Sequence, residues 1–131
     1  FYFNNIYSKL GVLPLDTFYH FDPGFRIMQG FFPIKDFWVV SGLVPDLMEA
    51  FFFSILGVSW NTHIIHSSIF NGILSVSTFL FFQEVGLNKI HSFLYSIFFA
   101  VLAYPISGTP FVDHHAVFFS LLAISVKGFL T

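Results

Sequence analysis

Two long stretches without formal charge limit the folds that this sequence can adopt. No Asp, Glu, Lys or Arg occurs in residues 50–83 or in residues 90–112. Only 9% of the 131 residues are charged, whereas a typical soluble domain has roughly 25%. So few charges cannot build a water-facing surface, which argues against soluble and disordered chains. The sequence therefore predicts an all-α, lipid-embedded fold. With a net charge of −2, we expect no nucleic-acid partner.

The apolar stretches predict three transmembrane helices, at residues 62–82, 90–104 and 114–131. A helix needs about 20 mostly apolar residues to cross the hydrocarbon layer. Residues 1–60 hold most of the charges and are predicted to form a long extracytoplasmic loop with short juxtamembrane helices. The fold class is thus a polytopic transmembrane helix bundle, with residues 1–131 in one transmembrane domain. Because the chain begins at Phe1 and ends within an apolar run, we expect a fragment of a longer membrane protein.

Two short helices are predicted in the loop. The first has Asp22 as its N-cap, Pro23 in its first helical position and Gly30 as its stop. The second begins at Pro45 and ends at Gly57. At about 18 Å it is too short to cross a bilayer, and we expect it to lie at the membrane interface.

The acidic side chains of the second loop helix have a simple explanation from the sequence. Asp46 and Glu49 are assigned to its first turn, where the helix dipole favours negative charge. They are therefore interpreted as stabilising the start of the helix.

Two carboxylates, Asp22 and Asp113, are the main catalytic candidates. Both are predicted on the same aqueous face, and an acidic group at a membrane rim is a functional candidate by default. One could act as general base on an acceptor hydroxyl, while the other helps to hold a metal or an anionic leaving group. A helix cap is an equally good explanation for each residue taken alone. Arg26, four residues after Asp22, could pair with it or bind a phosphate.

The histidines leave a second interpretation open. His63 and His66 lie three residues apart on one helix face, and His114 and His115 are adjacent. Convergence of these side chains would suit zinc or iron, as in a membrane desaturase or hydroxylase. Hydrogen bonding between helices is the commoner role for such histidines. A non-enzymatic transporter fragment, with Asp and His relaying protons, is a further alternative.

Four motifs, taken in order, resemble the GT-C membrane glycosyltransferases, in particular bacterial relatives of the protein mannosyltransferases and lipid A sugar transferases. They are Tyr-His-Phe-Asp-Pro-Gly-Phe at 19–25, Gly-Phe-Phe-Pro-Ile-Lys-Asp-Phe at 30–37, Phe-Ser-Ile-Leu-Gly-Val-Ser at 53–59 and Asp-His-His-Ala-Val-Phe-Phe at 113–119. The resemblance implies inverting transfer of a sugar from a polyprenyl-phosphate donor to a lipid, glycan or protein hydroxyl. The reaction would take place at the extracytoplasmic face of the bacterial inner membrane. Many relatives carry a second acidic residue where this chain has Pro23.

The resemblance also implies roles for individual residues. Asp22 matches the family's general base, and Asp113 matches the acidic residue near the donor phosphate or a metal. Catalysis is accordingly assigned to Asp22 and Asp113, and substrate binding to Arg26, His20, Lys35, Asp36 and His114. The cofactor hypothesis is a divalent metal at Asp113 and His114, with no other cofactor expected. Membrane lipids are the remaining expected partner, and the fragment alone is expected to be inactive.

Overall fold

The computed structural model describes residues 1–12, 15–40, 42–102 and 108–129, with side chains as far as residue 124. These residues form six helices: α1 (Tyr2–Tyr7), α2 (Phe18–Met28), α3 (Leu43–Leu56), α4 (Trp60–Glu84), α5 (Lys89–Leu102) and α6 (Val112–Phe129). No strand occurs in the described ranges; an isolated bridge joins Pro33 and Phe37. The prediction of an all-α fold is confirmed.

Helix α4 is the centre of the structure. It packs against α1, α3, α5 and α6, while α2 packs against α3. Its start is fixed by Ser59, whose Oγ accepts a hydrogen bond from the Thr62 N–H at 3.1 Å, as an N-cap should. The helix predicted at residues 62–82 is confirmed and extends a few residues at each end.

The other two predicted spans are also helical where the structure describes them. The predicted 90–104 helix is α5, and residues 103–104 lie outside the described ranges. Helix α6 begins two residues before the predicted start at 114, and residues 130–131 are outside the description. Among the described helices, α4 alone is both long and apolar enough to cross a membrane; α5 and the Val112–Ile124 part of α6 are apolar but shorter.

The predicted start of the first loop helix is wrong. Helix α2 begins at Phe18, so Pro23 lies inside it and Asp22 is not its N-cap. The reason is tertiary packing: α2 lies along α3, and at Gly24 the helices are so close that a Cβ would lie 2.6 Å from the Glu49 Cγ. This contact offsets the backbone cost of an internal proline. The predicted stop is nearly correct, because α2 ends at Met28, and Gly30 has a φ of 86°.

The second loop helix is confirmed, starting two residues earlier than predicted. It ends before Gly57, whose φ of 82° is one that favours glycine. Asp46 lies in its first turn as expected, whereas Glu49 lies one turn further on. Both carboxylates are buried, so the expectation that they only complement the helix dipole is insufficient.

The interior is largely polar and the exterior is largely apolar. Eight polar residues of α4 are buried: Thr62, His63, His66, Ser67, Ser68, Asn71, Ser77 and Thr78. A small apolar cluster of Phe70, Leu74 and Phe118 lies beside them. By contrast Ile73, Val76 and Leu80 are exposed on the same helix. A helix surrounded by water shows the opposite distribution.

Asn4 joins α1 to α4 and to the segment that precedes α6. Its Nδ2 lies 3.2 Å from Ser67 Oγ, 3.0 Å from Ser68 Oγ and 3.0 Å from the Gly108 carbonyl oxygen. Gly108 has a φ of 60°, and a Cβ there would lie 2.9 Å from the Ser8 Cβ. Glycine is therefore required where α1 meets the chain ahead of α6.

Candidate functional site: a buried histidine–carboxylate cluster

Four helices contribute imidazole and carboxylate side chains to one buried group, which we call the histidine–carboxylate cluster. Helix α2 provides His20, α3 provides Asp46 and Glu49, α4 provides His63 and His66, and α6 provides His115. The two acids are three residues apart, as are the two α4 histidines, and this spacing places each pair on one helix face. All six side chains are essentially inaccessible to solvent.

Glu49 is the centre of the cluster. Its Oε1 lies 2.8 Å from His63 Nδ1, and its Oε2 lies 2.5 Å from His66 Nδ1. Burial raises the pKa of Glu49, but hydrogen bonds from His63 and His66 outweigh burial and hold that pKa below its ordinary value. Glu49 is therefore a buried carboxylate that binds two imidazoles at once.

Two backbone carbonyl oxygens determine which ring nitrogens of His63 and His115 carry a hydrogen. His63 Nε2 lies 3.0 Å from the Thr17 carbonyl oxygen, and His115 Nδ1 lies 2.8 Å from the Phe111 carbonyl oxygen. A carbonyl oxygen only accepts, so both nitrogens must donate. A neutral His115 then presents a lone pair at Nε2, 3.1 Å from His66 Nε2, and His66 donates to it.

Counting hydrogens shows that the cluster has room for one extra proton. Five contacts connect Thr17, His63, Glu49, His66, His115 and Phe111 in series. Each contact needs one hydrogen, but three neutral imidazoles and one protonated carboxyl supply only four. Complete hydrogen bonding therefore requires a net charge of +1, and without it one contact lacks a hydrogen.

A second acid–imidazole pair, Asp46 and His20, completes the cluster. Asp46 Oδ1 lies 2.7 Å from His20 Nδ1. Within the described residues, Asp46 Oδ2 has no hydrogen-bond partner. In the part of the chain that the structure describes, both ends of the five-contact series stop at backbone carbonyl oxygens.

Asp22 and Arg26 form an ion pair on the surface of α2. Asp22 Oδ2 accepts a hydrogen bond from Arg26 Nε at 2.8 Å, and both side chains are about half exposed. The Arg26 guanidinium carbon lies 5.8 Å from the centre of the Phe37 ring. The candidate base and the candidate phosphate ligand are thus adjacent and open to solvent.

Lys35 and Asp36 lie on the exposed turn between α2 and α3. The Phe32 N–H donates to Asp36 Oδ2 at 2.7 Å, so this carboxylate holds the turn closed. Asp36 is thus bound to the backbone of its own turn. The Lys35 side chain is exposed.

Asp113 and His114 differ in their surroundings although they are neighbours. Asp113 is exposed in the first turn of α6, and His114 is buried. Within the described residues, no three His, Cys, Asp or Glu side chains are arranged to hold a metal ion. The divalent metal at this position stays a prediction.

A ring contact joins the helices that carry the two candidate catalytic acids. The ring centres of His20 on α2 and His115 on α6 are 6.3 Å apart. Asp22 and Asp113 each lie two residues from this contact, a spacing at which helical side chains do not share a face. The contact therefore brings the two helices together, while both carboxylates point elsewhere.

The sequence interpretation overlooked the roles of Asp46 and Glu49. A signal was present, because the acid pair and the His63–His66 pair have the same three-residue spacing. Their pairing was hidden because partners on different helices cannot be matched from spacing alone.

Comparison of the chain with protein-family models, curated proteins and solved structures finds no match.

Proposed function

We propose that the protein is an integral-membrane glycosyltransferase that transfers a sugar from a polyprenyl-phosphate donor to a hydroxyl acceptor. The observation that carries the proposal is the exposed Asp22–Arg26 pair, in which a carboxylate lies 2.8 Å from a guanidinium. A candidate general base thus lies beside a candidate phosphate ligand. The order of the four motifs shared with GT-C enzymes supports the same conclusion.

The distribution of polar side chains supports a membrane location. The buried face of α4 carries hydroxyl, amide and imidazole groups, while Ile73, Val76 and Leu80 are exposed. Lipid hydrocarbon offers no hydrogen-bond partners, so polar side chains in a membrane face the interior of the helix bundle and apolar side chains face the lipid. We propose that α5 and α6 also cross the membrane, in line with their apolar composition. The enzyme would then face the extracytoplasmic side of a bacterial inner membrane.

The proposed reaction begins with the acceptor hydroxyl. Asp22 takes its proton, and the oxygen forms a bond to the anomeric carbon as the bond from that carbon to the phosphate oxygen breaks. Arg26 lies 2.8 Å from Asp22, so its guanidinium is near enough to the base to bind the departing phosphate. Stabilising this developing negative charge would make the largest contribution to catalysis.

Asp113 and His114 would act on the donor side. The exposed carboxylate of Asp113 suits a hard divalent cation, which takes its other ligands from phosphate oxygens and water. Such an ion would neutralise charge on the leaving phosphate. Lys35 is exposed on the turn that follows α2, the helix with the Asp22–Arg26 pair, and its ammonium group is a second candidate phosphate ligand.

The iron-enzyme alternative has less support. It needs His63, His66, His114 and His115 to converge on metal, but both ring nitrogens of His63 are already hydrogen-bonded, Nδ1 to Glu49 and Nε2 to the Thr17 carbonyl. A proton-relay transporter also fits less well, since the hydrogen-bonded series ends at backbone carbonyls.

Sugar transfer by membranes containing the protein, expressed from its complete gene, tests the proposal. The donor is a polyprenyl-phosphate sugar labelled in the sugar. Removing a general base typically costs about 100-fold or more in rate, so we expect Asp22→Asn to lose activity on that scale, and Asp113→Asn to lose activity as well. Glu84→Gln, an exposed acid at the C-terminal end of α4, is the matched control and should retain activity. Normal transfer by Asp22→Asn at equal expression would refute the mechanism.

A further inference from the structure

The chain between α2 and α3 forms a closed turn at residues 30–38. The Phe32 N–H donates to the Asp36 carboxylate at 2.7 Å, and the Asp36 N–H donates to the Phe32 carbonyl at 2.8 Å. Within this loop, the Ile34 N–H donates to the Phe37 carbonyl at 3.0 Å. These bonds fix the backbone of the turn without using any of its apolar side chains.

Ile34 is held in a conformation that its side chain disfavours. Its φ is 72°, and it is the one residue other than glycine in the described ranges with a positive φ. A β-branched residue at positive φ is strained, and such strain persists where the surrounding structure enforces it, often at functional positions. Glycine would fit this backbone better, so the isoleucine side chain itself needs an explanation.

The turn displays the two most exposed large apolar side chains of the described structure, Trp38 and Ile34. Trp38 is 84% exposed and Ile34 is 79% exposed, and Phe32 beside them is 70% exposed. They lie on a loop rather than on the outer face of a bundle helix, so hydrocarbon around α4 does not account for them. A loop in bulk water would gain nothing from displaying three such side chains together.

Polar groups accompany this apolar surface. Lys35 and Asp36 are exposed within the turn, and the Asp22–Arg26 pair lies next to it through the contact of Arg26 with Phe37. The charges balance, which favours no particular sign of lipid headgroup. Tryptophan prefers the boundary between headgroups and acyl chains, and lysine can reach from there to water.

We propose that the 30–38 turn is a membrane-interface anchor, whose Ile34 and Trp38 side chains insert among the lipid headgroups and upper acyl chains. The inference rests on the proposed membrane location but not on sugar transfer. The anchor fixes the height of α2, and hence of the Asp22–Arg26 pair, relative to the membrane surface.

Fluorescence quenching in reconstituted vesicles tests the anchor, because the sequence has only two tryptophans. The protein with Trp60→Phe reports on Trp38 alone. The protein with Trp38→Phe reports on Trp60, which packs against Phe18 and His63 with ring centres 6.1 and 5.4 Å apart. Phosphatidylcholine carries bromine either near the headgroup or near the chain ends, and iodide quenches from water.

For Trp38 we expect the greater loss of emission with bromine near the headgroup, and little loss with iodide. Ile34→Gly suits the local backbone but removes the anchoring side chain, so it should shift Trp38 quenching towards iodide. Quenching of Trp38 by iodide alone would overturn the proposal, and so would quenching by neither agent, since protein would then cover the residue.

A third protein separates failure of the anchor from failure of the membrane location. Val76 is exposed near the middle of α4, so Val76→Trp in a background without Trp38 and Trp60 should be quenched by bromine near the chain ends. Quenching there, with Trp38 open to iodide, would reject only the anchor. No lipid quenching at either position would reject the membrane location as well.

Discussion

Replacing Glu49 by glutamine would test whether one buried carboxylate holds α3 against α4. The amide has nearly the same shape, so packing is retained while the charge is lost. Breaking a buried ion pair by removing one partner costs about 3–5 kcal/mol. The amide can still donate one hydrogen bond and accept another, which restores about 1 kcal/mol. We therefore expect Glu49→Gln to lower the free energy of unfolding by about 2–4 kcal/mol.

The measurement is thermal unfolding of the purified protein in one detergent, followed by helical circular dichroism. For a chain of this size, 1 kcal/mol corresponds to about 4 °C in Tm, so the expected decrease is about 8–16 °C. Glu84→Gln makes the same chemical change at an exposed position and should stay within about 0.5 kcal/mol of the wild type. If Glu49→Gln has the same Tm as Glu84→Gln, Glu49 does not bind both His63 and His66 in the way the structure describes.

Three further predictions concern the same bundle. Gly24→Ala should destabilise the protein by about 1–3 kcal/mol, since its Cβ would lie 2.6 Å from the Glu49 Cγ; equal melting of Gly11→Ala, which has open space around it, would contradict this. Asn4→Ala should cost about 2–4 kcal/mol from three lost polar contacts, and a similar loss in Asn5→Ala would show that the contacts are not responsible. Because the pKa of Glu49 lies below its ordinary value of 4.5, its stabilisation is complete above pH 4.5 and disappears as the pH falls through the lowered pKa. Acid unfolding of the wild type should therefore include a loss of stability that is missing from Glu49→Gln, and identical pH profiles would refute this assignment.

The sequence was most informative where structure depends on local chemistry. The charge-free run predicted α4 closely, because burial of an apolar helix requires a continuous stretch without charge. Gly57 marked the end of α3, since its left-handed conformation is a property of the residue itself. Both signals can be detected without knowledge of the rest of the fold.

The sequence misled where contacts between helices decide the outcome. Pro23 suggested a helix start, but α2 continues through it because α3 packs alongside at Gly24. Glu49 was explained by the helix dipole, whereas its partners lie on α4. The contact of His20 with His115 likewise depends on how α2 and α6 are placed, which no local pattern specifies.

The position of Asn4 has a consequence for the order in which the protein is made. One of the three oxygens around its Nδ2, the Gly108 carbonyl, follows it by 104 residues. Ribosomes release the N-terminal segment first, so α1 leaves the exit tunnel long before that acceptor has been synthesised. Its amide therefore spends most of translation without its full set of partners, and α1 completes its docking only after the α4–α5 hairpin is already made. Helix α1 is made before the other described helices, yet it is among the last of them to complete its contacts.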